Sequence, residues 1–246
     1  MGDFFDIFFN FQFMADHFSY VLEGFWWTIK LSIVGGICAL TWGLILAVVR
    51  QLPGKPLAPV RWIVIAYIDC LRGIPMLLTI LLLSSGLATM ASQGVIPREI
   101  GIPQWFGQSD YFWYGVIALT LTYGAYMAEV YRAGIEAVPR GQTEAARSLG
   151  MSHGQAMRFI IVPQAVRKVI PPLLNDFIAL MKDTALVSTI GLVEAVQAGR
   201  DLYSEFYNPS GYTLGAIMFL IVTIPLARFV DRLIKKQNEK FQRGLP

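Results

Sequence analysis

The sequence is short of charge. Of its 246 residues only 15% are Asp, Glu, Lys or Arg, whereas 55% are hydrophobic and the mean hydropathy is +0.52. An ordinary soluble domain is about 25% charged. So little charge excludes a disordered chain, a nucleic-acid-binding arm and a typical soluble enzyme. Cysteine is scarce as well. Cys38 and Cys70 lie within or beside apolar runs, fit no metal-site spacing, and read as small hydrophobes. The only histidines are His17 and His153, and no His, Asp and Glu cluster has metal spacing. A membrane enzyme would therefore lack a catalytic constellation. A phosphate-binding loop is missing too: Gly54-Lys55 is followed by Pro56 and has no upstream glycine. No cofactor is expected on this chain, and any ATP chemistry must come from elsewhere. The N-terminus carries Asp3 and Asp6 where a secretory signal carries Lys or Arg, and Asp6 also defeats a myristoylation motif. No internal repeat of the kind common in secondary transporters is visible.

What is present is a set of long neutral runs. There are 19 residues between Lys30 and Arg50, 25 between Arg72 and Arg98, 18 between Asp110 and Glu129, and 22 between Glu205 and Arg228. A bilayer core of about 30 Å takes about 20 helical residues. Inside lipid every backbone polar group must be satisfied internally, so such runs are expected to be helices. Lys and Arg in the successive hydrophilic stretches number 0, 3, 1, 6, 1 and 6. Positive charge collects on the cytoplasmic side, which places the N-terminus outside and the tail inside. That orientation needs an odd number of spans. The fifth is found at 173–198, although it carries Asp176, Lys182, Asp183 and Glu194. Charges at membrane depth are tolerated when they face a protein interior or a water-filled path. The expectation is an all-α integral membrane bundle with spans at about 24–49, 62–90, 112–134, 173–198 and 211–233. A Phe-rich interfacial segment (1–20) precedes the membrane domain (21–235), and a cytoplasmic tail (236–246) follows it. Trp26, Trp27, Trp62, Trp105 and Trp113 fall near the span boundaries and read as an interfacial aromatic belt contacting lipid.

The cytoplasmic stretch 135–170 is strongly punctuated. Pro139 and Gly141 should stop the third span. Gln142 to Leu149 is a run of good helix formers, Gly150 suits a left-handed helix end, and Ser152 with Gln155 can form a capping box. Pro163 should kink or end the helix that follows. Two short helices joined at Gly150 are expected, with a small Ala145–Ala146 surface that lets a partner approach closely.

Glu144-Ala145-Ala146, Gly150, Ile160 and Val162-Pro163 occupy the spacing EAA-x3-G-x9-I-x-LP, with Val162 in place of Leu. This resembles the EAA loop of ABC importer permeases. Arg72-Gly73-Ile74-Pro75, Ala125 to Ile135 and Lys182 to Leu186 are similar to segments of the polar amino-acid uptake branch, with Ala133 where that branch has Gly. The likeness runs from about residue 20 to 240. It implies a type I importer permease fold in the bacterial inner membrane. It implies two copies of an ATPase subunit that carries ATP and Mg, a second permease chain, identical or homologous, and an extracytoplasmic amino-acid-binding protein. It also implies that Gly141, Glu144, Ala145, Ala146, Gly150, Ile160 and Pro163 belong to the ATPase-coupling loop.

A zwitterionic amino acid asks for a cation and an acid in one site. Arg72, Glu129, Lys182, Asp183 and Thr184 are the candidates for the substrate path. Asp176 and Asp183, seven apart, lie near one helical stripe. The same charges could instead hold the bundle together; Glu129 and Arg132, three apart, share a face and could pair. A net charge of +3 reflects the cytoplasmic loops and implies no nucleic acid. An ion-coupled secondary transporter is the alternative. It explains a charged fourth span and leaves the spaced EAA pattern unexplained.

Overall fold

The computed structural model describes residues 2–52 and 54–243, and every regular element among them is helical. The chain opens with two short helices, α1 (Gly2–Phe8) and α2 (Phe11–Asp16). The long α3 (Phe18–Arg50) follows. Then come α4 (Ala58–Gly73), α5 (Met76–Ser92) and the single turn α6 (Arg98–Gly101). The central helix is α7 (Asp110–Glu136). Beyond it lie α8 (Arg140–Ser148), α9 (His153–Ala156), α10 (Val162–Asp183), α11 (Ala195–Phe206) and α12 (Ser210–Arg243).

The core is built around α3 and α7. Leu31, Ala39, Leu119, Tyr123 and Met127 are buried there with Leu180 of α10 and Ile80 of α5. Glycine makes the close approach possible. A Cβ on Gly43 would lie 2.8 Å from the Gly124 carbonyl oxygen and 2.9 Å from Met127 Cβ. Small residues at such crossings let helix backbones come into van der Waals contact, the main source of helix association in lipid. A second core, with Val21, Phe25, Met181, Ala198 and Met218, joins α11 and α12 to the N-terminal half of α3.

By length and composition, α3 and residues Ser210–Gln237 of α12 are each sufficient to cross a membrane. The α4 and α5 pair passes the same test together, but is bent by 110°. The unbroken span expected at 62–90 is therefore two helices. Ile74 is extended (φ −93, ψ 132), because a residue before proline is pushed out of the α region, and Pro75 offers no N–H to continue the ladder. The stretch 173–198 also differs from the expected single helix. α10 ends at Asp183, residues Thr184–Ile190 tighten into a 3-10 helix, and Gly191 turns left-handed (φ 108). α11 then starts afresh, its N-cap supplied by Glu194, whose carboxylate accepts from the Val196 and Gln197 amides at 2.9 Å.

The Phe-rich N-terminal segment is helical and tied down. The Asn10 amide donates to Ser210 Oγ and that hydroxyl donates to the Ile7 carbonyl, both at 3.1 Å. Phe13, His17 and Phe206 form an aromatic cluster beside this clasp. Trp26 and Trp62 present more than half of their surface outward, whereas Trp27 and Trp113 are partly buried. Cys38 and Cys70 are free thiols on the outside of the bundle.

Candidate functional site

The stretch 135–170 folds around its punctuation. α7 stops at Glu136 and Pro139 precedes α8. Gly150 takes φ +78, a conformation that costs other residues about 1–2 kcal/mol. The Ser152 and Gln155 capping box is formed in both directions. Val138, Ile161 and Ala165 make a small core beneath this region. The Lys168 ammonium donates to the Ala137 carbonyl, and Gln164 Nε2 donates to Gln142 Oε1 at 3.1 Å, tying α10 to α8 and the turn before it.

Within that frame Gly141, Glu144 and Ala145 face outward. Glu144 has no hydrogen bond or ion pair among the described residues. Leu149 is 83% exposed. Ala146, however, is only 4% exposed: it faces the chain's own interior, so only Ala145 of the expected alanine surface is offered to a partner. Ile160 packs against the small core. Pro163 does not end the helical run, which passes from the π-helical turn straight into α10. It occupies the first turn of α10, where a missing N–H costs nothing, and the adjustment is taken up by a π-helical turn at Met157–Ile161 just before it.

The five path candidates separate. A cavity of about 490 Å³ lies against the α4–α5 break, lined by Arg72 on one side and by Thr122, Tyr123, Tyr126, Asp176 and Asp183 on the other. Arg72 stands over the Tyr126 ring at 5.7 Å, within cation–π reach, and the Tyr126 hydroxyl donates to the Arg72 carbonyl at 3.3 Å. The Tyr123 hydroxyl donates to Asp183 Oδ2 at 2.8 Å. Thr122 Oγ1 and Asp176 Oδ2 are buried without a hydrogen-bond partner among the described residues. Buried polar atoms are rarely left so, and here both belong to cavity-lining residues.

The other three candidates are not brought to this cavity. Glu129 sits on α7 between Arg50 of α3, with which it forms an ion pair, and Arg132, whose Nη2 is 2.7 Å away; Arg132 also reaches Glu136 at 2.6 Å. That cluster braces the α3–α7 pair. Lys182 faces a separate, largely apolar cavity of about 420 Å³ against α11 and α12. Thr184 is fully buried and donates to the Met181 carbonyl at 2.7 Å, closing the end of α10. Sequence reasoning missed Thr122, Tyr123 and Tyr126. The available signal was their placement one and two turns before Glu129 on α7, a helix face that carries polar groups in the middle of an apolar run.

Among the described residues every regular element is helical and at least two helices are long and apolar enough to cross a membrane, the make-up of a helical membrane protein. The match to known proteins makes this specific. The chain matches the family described as binding-protein-dependent transport system inner membrane component over residues 39–239, and it belongs to that family. Its relatives are amino-acid ABC transporter permeases. It is 36% identical over 224 residues to the glutamate transport system permease protein GluC of Corynebacterium glutamicum, covering 90% of this chain and 96% of that one. It is 32% identical over 225 residues to the arginine transport system permease protein ArtQ of Bacillus subtilis, covering 89% and 94%. A chain from the crystal structure of an amino acid ABC transporter with histidines superposes with a TM-score of 0.79 at 32% identity, covering 92% of this chain and 98% of that one.

Proposed function

We propose that the chain is the permease subunit of an ATP-driven importer for polar amino acids in a bacterial inner membrane. The observation that carries this reading is α8, a surface helix with an exposed Glu144 that has no partner among the described residues and, just past its end, Leu149, 83% exposed. An apolar side chain and a carboxylate left uncovered together suit insertion into a groove on another protein. In this reading the groove belongs to a cytoplasmic ATPase subunit, present in two copies and holding ATP and Mg. Five spans with the N-terminus outside then put α8 on the same side as the ATPase. A binding protein delivers substrate outside, and a second permease chain completes the path. Closure of the ATPases on ATP moves the paired α8 helices and favours the outward-open state; hydrolysis returns the pair. Each step works by a difference in binding between two states.

The cavity beside the α4–α5 break serves as the substrate site. Arg72 answers the α-carboxylate and Asp176 or Asp183 answers the α-ammonium, by charge-assisted hydrogen bonds. Glu129 holds the bundle.

The test is purification after mild solubilisation, with Glu144→Lys alongside wild type. Recovery of a P-loop ATPase with wild type and its loss on charge reversal support the reading. Recovery of no ATPase, with vesicle uptake driven by an ion gradient, refutes it in favour of a secondary transporter.

A further inference from the structure

We infer that the cavity between the α4–α5 break, α7 and α10 selects cationic amino acids, those with a second positive charge on the side chain. The inference rests on the substrate-site reading above and deepens it. The lining carries one cation, Arg72, and two carboxylates, Asp176 and Asp183. The formal sum is +1 − 2 = −1. A cationic amino acid brings one carboxylate and two cations, +1 in total, and leaves the occupied cavity neutral. A neutral amino acid leaves one carboxylate unanswered. An acidic one raises the imbalance to −2. Asp176 and Asp183 are partly buried whereas Arg72 is exposed, so an unanswered carboxylate is the costlier state and the count decides the order of preference.

Among the described residues of this chain, no other charged side chain lines the cavity. Lys182 lines the separate cavity against α12, Glu129 is held by Arg50 and Arg132, and Asp69, one turn before Arg72, is exposed and not part of the lining. The two carboxylates are not equivalent. Asp183 already accepts from Tyr123, whereas Asp176 has a buried oxygen with no donor. That oxygen and the Thr122 hydroxyl, only 3% exposed and also unpartnered, are where ligand groups would complete the hydrogen bonding. The Tyr126 face, with Arg72 above it, offers a second surface for a cation.

The experiment uses the assembled permease–ATPase complex in detergent without its binding protein, so that selectivity is read from the permease alone. Labelled arginine is bound at equilibrium and competed with lysine, glutamine and glutamate. Arginine should bind at least about tenfold more tightly than glutamine, and glutamate should fail to compete. Asp176→Asn, which raises the sum to zero, should weaken arginine at least about tenfold and leave glutamine unchanged or improved, while Asp176→Glu keeps the wild-type order. If Asp176→Asn does not assemble, the wild-type order and Asp176→Glu decide. Glutamine or glutamate binding ahead of arginine, yet still sensitive to Asp176, overturns the charge preference and leaves the amino-acid site standing. No amino-acid binding by a complex that still drives ATP-dependent uptake with its binding protein overturns the site itself.

Discussion

Gly43→Ala tests the claim that backbone contact between α3 and α7 holds the bundle. The added Cβ would stand 2.8 Å from the Gly124 oxygen, 2.9 Å from Met127 Cβ and 3.1 Å from the Ala128 nitrogen, whereas ordinary contact begins at 3.4 Å. None of these neighbours is the tip of a flexible side chain. Relief therefore requires α7 to retreat by several tenths of an ångström along a crossing that organises the core. Overpacking of this kind costs about 1–3 kcal/mol. Exchange of glycine for alanine in a helix gives back about 1 kcal/mol. A net loss of up to about 2 kcal/mol corresponds to a midpoint lower by up to about 8 °C in thermal unfolding of a chain this size. The assay is tryptophan fluorescence during heating in mild detergent. Gly86→Ala is the control, because nothing lies within 4 Å of the position of its Cβ; it should be neutral or raise the midpoint. Equal stabilisation by both substitutions would refute the reasoning, since the gain would then come from propensity alone and the close crossing would limit nothing.

Glu129→Gln should destabilise the chain by about 1–3 kcal/mol, the range reduced because the partners are partly exposed. Arg50→Met combined with it should cost less than the sum, read as a coupling energy in a double-mutant cycle. Gly150→Ala forces a Cβ into φ +78 and should cost about 1–2 kcal/mol locally. Its signature is reduced ATPase recovery with the bundle's unfolding midpoint nearly unchanged. Ser210→Ala removes the hydroxyl that joins Asn10 to Ile7 and should cost about 1–2 kcal/mol. It is checked by faster hydrogen exchange over α1 and α2, with α3 and α7 still protected.

Local chemistry was legible in the sequence wherever it is carried by neighbouring residues. The turn at Gly150 and the Ser152–Gln155 box need only their own few residues, and both form. The interruptions within apolar stretches were harder to read. Hydropathy reports how well residues 62–90 suit lipid, not whether Gly73, Ile74 and Pro75 allow one axis through them. Charge topology likewise cannot distinguish a continuous helix over 173–198 from α10, a 3-10 segment and a re-capped α11. The placement of Glu129 depended on Arg50, a contact spanning 79 positions, while the motif spacing showed only Arg132 nearby. Ala146 was misjudged for a related reason: a short helix exposes one alanine and buries the next, and the phase is set by the Val138 and Ile161 cluster beneath it.

The cavity lies where two helices lose their regular course, at Ile74–Pro75 and just before Thr184. Continuous helices on both sides would make a wall whose shape changes only when packed surfaces slide past each other. A wall made at two breaks can be reshaped by turning a few backbone torsions, with the packed halves of each helix moving as rigid rods. The charged side chains of the cavity thus sit at the two places where helical geometry is interrupted, beside a glycine-tight stem of α3 against α7.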